Sequence, residues 1–165
     1  MPQLVRRLLR VVIVLLLAGM LFFQAVLIPL LGVDIAEGGP DVVHLRRPVV
    51  VIGVLGVATV EVVLVCLWRL LTMVRTGTVF SRSAFRWVDV VIGALAVAAG
   101  LVVLLGVLLA PGEAVPPGIV LALGVVAIGI GGGALVVLVM RALLAQAVAL
   151  DTTATTLRAE LDEVI

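Results

Sequence analysis

VVIVLLLAGMLFFQAVLIPLL, residues 11 to 31, is a run of 21 residues without a charge, and its length decides what fold this chain can have. A helix rises about 1.5 Å per residue, so such a run reaches across the roughly 30 Å of hydrocarbon in a bilayer. The apolar core of a cleaved leader is only about 7–15 residues and ends at small residues. This run is longer, and LGVDIAEGGPD at its end offers no convincing cleavage site. It therefore reads as a retained span, preceded by Arg6, Arg7 and Arg10 and with Pro29 near its far end.

Three further runs repeat the pattern, at about 49–71, 88–110 and 118–140. Pro48 suits the first turn of the second span, where its missing N–H costs no helix bond. PGEAVPP makes a tight turn between the third and fourth. Of the 165 residues, 64% are hydrophobic and 13% charged, against roughly 45–50% and about 25% in water-soluble domains. The fold class expected is all-α, an integral membrane bundle of four transmembrane helices (residues 1–140), followed by a cytoplasmic amphipathic helical tail (141–165).

Orientation follows from the arginines. With four spans, the amino terminus, the connection at 72–87 and the tail share one side, which holds nine of the eleven arginines. Only Arg46 and Arg47 fall on the other. Basic residues are retained in the cytoplasm, so both termini are expected inside. The chain has no Lys, Asn or Tyr, residues with AT-rich codons, which suggests a GC-rich bacterial gene and hence a bacterial cytoplasmic (inner) membrane. A net charge of +1 lacks the concentrated basic face of a direct nucleic-acid binder.

The second span carries one acid, Glu61, within VATVEVVLV, residues 57 to 65. An ionised group at mid-bilayer costs on the order of 3 kcal/mol on insertion scales, so the neutral acid is expected, in need of a hydrogen-bond partner. Counted up from the cytoplasmic ends, Gln24 and Glu61 differ in depth by only about 5 Å. They form the expected intramembrane polar pair, read as structural in preference to proton coupling or ligand binding.

Other polar residues carry less. Cys66 is the single cysteine and His44 the single histidine, so neither disulfides, cysteine-based zinc sites nor His-Glu-x-x-His chemistry can be built. No cofactor, metal or catalytic residue is expected. IGIGGG, residues 128 to 133, lacks the Lys-Ser or Lys-Thr of a phosphate loop and lies inside a span; its Gly129 and Gly133 suit close helix packing, within a compact bundle or at a seam between copies.

In the tail, Leu143, Ala147, Leu150, Ala154, Leu157, Leu161 and Val164 alternate at spacings of four and three, the coiled-coil repeat. With two Ala and about three heptads, autonomous pairing is marginal. A helix lying on the membrane surface competes with a protein contact, and the acidic end AELDEVI favours the protein contact through Leu150, Leu157, Leu161 and Val164.

Four spans, the central GTVFS at 77 to 81 and the tail RALLAQA…LRAELDEVI together resemble the bacterial membrane protein family known as domain of unknown function 2975 (DUF2975). Gly77, Phe80 and Ser81 match its short central motif. The resemblance implies no established activity and no defined catalytic residues, and it implies a gene neighbourhood that often includes a small helix-turn-helix regulator, a possible cytoplasmic partner. The function expected is therefore regulatory or scaffolding and not enzymatic. The alternative is a small proton-coupled transporter using Glu61, by analogy with four-helix multidrug exporters that use one intramembrane Glu as dimers.

Overall fold

The computed structural model describes residues 3–37, 43–75, 82–111 and 115–164. These are helical almost throughout, with no strand among the described residues. Helix α1, Gln3–Phe22, passes through one wide π turn, Phe23–Leu27, into α2, Ile28–Glu37. Helices α3, Arg46–Arg75, α4, Arg82–Leu109, and α5, Pro117–Val164, follow. Four stretches, Arg7–Glu37, Arg46–Met73, Phe85–Leu109 and Pro117–Arg158, are long and apolar enough to cross a membrane.

The π turn has a local cause. Pro29 has no N–H and its ring would crowd the carbonyl of Ala25 in a regular α-helix. Widening the turn moves that carbonyl away, and the Ile28 N–H bonds instead to the Phe23 carbonyl, five residues back.

Packing follows chain order. Every extensive helix contact joins neighbours in sequence: α2 on α3, α3 on α4, α4 on α5. The compact bundle expected from the sequence is thus corrected to an open row of antiparallel hairpins, with no extensive contact among the described residues closing α5 onto α1. Glycine placement explains the difference. A Cβ at Gly93, Gly100, Gly124, Gly129 or Gly133 would meet nothing within 4 Å, so these residues do not draw helices of this chain together. Close approach occurs at Gly32 against Val50, Gly53 against Ile28 and Gly106 against Leu123.

The seam of α5 on α4 is a heptad row of its own. Leu123, Ala127, Ile130, Ala134, Val137, Arg141, Leu144 and Val148 are all buried or half-buried, at alternating spacings of four and three. The core is thin: Ile13, Ile28, Ile52, Cys66, Val91, Ala127 and Ala134 are buried, while Leu121 and Ile128 are 72% and 77% exposed. Burial so slight suits a protein whose outer faces are covered by lipid.

Candidate functional site

The expected pairing of Gln24 with Glu61 does not form. The Gln24 side-chain amide, within the π turn, donates to the Val54 carbonyl oxygen at 3.3 Å. Glu61 Oε1 is buried with no hydrogen-bond partner. The helix register gives the reason. Ile28 faces Gly53 and Gly32 faces Val50, and the same antiparallel register sets Glu61 level with Met20, about one turn or 6 Å below Gln24. A turn of offset exceeds what the two side chains bridge, and a carbonyl of α3 lies closer to the amide. Glu61 still belongs to the stripe of α3 that faces the first helix, with Val50, Val57, Leu64 and Trp68, all half-buried. The α1 residues at its level, Leu17 and Met20, are apolar.

A second polar cluster ties α4 to α5 where α5 leaves the apolar layer. Arg141 grips Asp89 with both arms: Nε sits against Oδ1 as an ion pair, and Nη2 donates to Oδ2 at 2.8 Å. The Arg141 guanidinium also lies over the Phe85 ring, 5.8 Å from its centroid, a cation–π distance. Phe85 and Asp89 are one helical turn apart, so both reach the same guanidinium. Sequence reasoning passed over Asp89, although a signal was present. The α4–α5 hairpin is antiparallel, and Asp89 and Arg141 stand 26 residues either side of Val115, in the turn.

The tail continues α5 without a break to Val164. Val148, the last residue of the α4 seam, is level with Arg82, where α4 begins, so residues 149–164 run on beyond it. Leu143, Leu150 and Leu157 are exposed, Leu150 at 71%. Their face neighbours the seam used against α4 and is covered by nothing among the described residues. The hydroxyls of Thr152, Thr153, Thr155 and Thr156 donate back to carbonyls one turn earlier, which satisfies them within the helix. The Leu161 and Val164 side chains lie outside the described residues, as do Gly77, Phe80 and Ser81.

Two cavities among the described residues bear on ligand binding. One of about 840 Å³ at the tip of the α4–α5 hairpin is lined by apolar residues such as Leu109, Pro116, Val120 and Ile128. Its described lining residues are all apolar. The other, about 530 Å³, lies between α2 and α3 beside Arg46 and Arg47. Among the described residues, no three His, Cys, Asp or Glu side chains come together in a way that could hold a metal.

Four long apolar helices, thinly packed and exposed on their outer faces, define a multi-pass α-helical membrane protein. Residues 30–165 match the family model described as protein of unknown function (DUF2975). The chain belongs to that family. The matched stretch starts after Gln24, so the amide that joins the first helix to α3 lies outside it, while Glu61, Asp89 and Arg141 lie within. No curated protein and no solved structure matches the chain.

Proposed function

We propose that this protein is a non-enzymatic scaffold of a bacterial cytoplasmic membrane, with both termini inside, that holds a cytosolic partner on the free face of the α5 tail. The observation that carries this reading is the uninterrupted length of α5. Its 48 residues extend about 72 Å, more than twice the roughly 30 Å of hydrocarbon. The clamp of Arg141 on Asp89 and Phe85 holds the helix where it emerges, so the protruding part is a rigid arm with exposed Leu150 and Leu157. A rigid helix loses little entropy when it docks, which favours its use as a grip.

The gene neighbourhood implied by the family makes a small helix-turn-helix regulator the first partner to test. Pull-down of the full chain against a version truncated after Arg141 is the direct experiment. Loss of the regulator on truncation is the expected result, and identical partner lists would overturn the reading.

A second reading rests on Glu61, whose Oε1 is buried without a partner. Intramembrane acids left in this way are used in proton relays. Proton-coupled uptake into liposomes, present in wild type and lost in Glu61→Gln, would favour transport.

A further inference from the structure

The notch between α2 and α3 serves neither of these readings, yet it has the make-up of a ligand site. Pro29, Gly32, Arg46, Arg47, Val50 and Val51 line its roughly 530 Å³. The lining divides by height along the hairpin. Arg46 and Arg47 stand at the mouth, on the first turn of α3, while Val50, Val51 and Pro29 lie further along toward the middle of the apolar layer. Gly32 forms the floor, where α2 and α3 close on each other and no side chain fits. A Cβ would stand 2.9 Å from Val50 Cγ2 and 3.7 Å from Arg46 Nε.

Charge makes the notch unusual. Arg46 and Arg47 are the two arginines set at the end of the helices opposite the other nine. They are adjacent, and both are exposed. Asp34 and Glu37 occupy the neighbouring end of α2, but among the described residues neither arginine has an ion pair or hydrogen bond. Two neighbouring guanidiniums without an anion repel each other, and a shared phosphate turns that repulsion into two charge-assisted contacts. The first turn of α3 adds its positive helix end at the same place.

We propose that the notch binds one anionic phospholipid, its phosphate on Arg46 and Arg47 and an acyl chain along Pro29, Gly32, Val50 and Val51. A free anion would use only the mouth. A lipid uses the whole lining, because the apolar part continues from the arginines into the layer where acyl chains lie. The site is independent of whatever the α5 tail holds.

Native mass spectrometry of the full chain tests this, after exchange into micelles containing phosphatidylglycerol and phosphatidylcholine of matched chains. Wild type is expected to retain phosphatidylglycerol over phosphatidylcholine by about tenfold, equivalent to about 1.4 kcal/mol. Arg46→Gln/Arg47→Gln is expected to lose that preference, and Arg86→Gln, at the other end of the helices, to keep it. Thermal unfolding without added lipid, unchanged in the double variant, shows that the loss is one of binding and not of folding. Equal retention of the two lipids by wild type, or an undiminished preference in the double variant, overturns the proposal. Displacement of the lipid by inorganic phosphate at equal concentration also overturns it, since the ligand would then be the free anion.

Discussion

Gly32 and Gly106 are both buried glycines between antiparallel helices, and they set opposite expectations for the same substitution. A Cβ at Gly32 falls inside van der Waals contact with Val50, a β-branched side chain with little freedom to turn away. Gly32→Ala is expected to cost about 1–3 kcal/mol. At Gly106 the nearest atom is Leu123 Cβ at 3.8 Å, an ordinary contact, and Ala is the better helix former by roughly 0.5–1 kcal/mol. Gly106→Ala should therefore lose no stability; unfolding of the two variants in detergent against SDS compares them directly. At Glu61 the unpartnered carboxyl oxygen makes an apolar replacement favourable. Glu61→Leu is expected to stabilise the fold by about 1–3 kcal/mol, read in the same titration. A loss of stability would mean that the carboxyl has a partner after all.

Among the elements, α5 couples a membrane span to a free arm, and the Arg141 clamp is the joint. Asp89→Asn and Arg141→Gln, alone and together, form a double-mutant cycle in which a coupling of about 1 kcal/mol is expected for a partly exposed, two-armed pair. Leu150→Asp/Leu157→Asp should leave stability unchanged, because both side chains are exposed, while abolishing any contact made by the tail. The four helical runs were legible in the sequence because bilayer thickness imposes a length on each of them. The seams were not. The tail heptad through Leu143, Leu150 and Leu157 is the visible repeat, yet the seam actually used against α4 is the neighbouring row through Ala127, Ala134, Arg141 and Val148. Apolar residues on every face of a span hide which row packs and which meets lipid. Depth counting put Gln24 near Glu61 to within a turn, but a hydrogen bond is decided over less than that distance.

Across the whole molecule, nine arginines at one end and two at the other give the orientation a test. Cys66 is 1% exposed, so the native chain should resist maleimide in the bilayer and react only on unfolding. It therefore serves as a silent background for His44→Cys and Arg158→Cys. In sealed inside-out vesicles, Arg158→Cys is expected to label and His44→Cys to stay protected until the membrane is opened. The open row of hairpins also bears on how the protein is made. Each helix finds its extensive partner in the one synthesised just before it, so docking can keep pace with the ribosome and no span waits in the bilayer for a late arrival. An apolar chain is most prone to aggregate while it lacks partners. Here that interval is shortened to the synthesis time of a single helix.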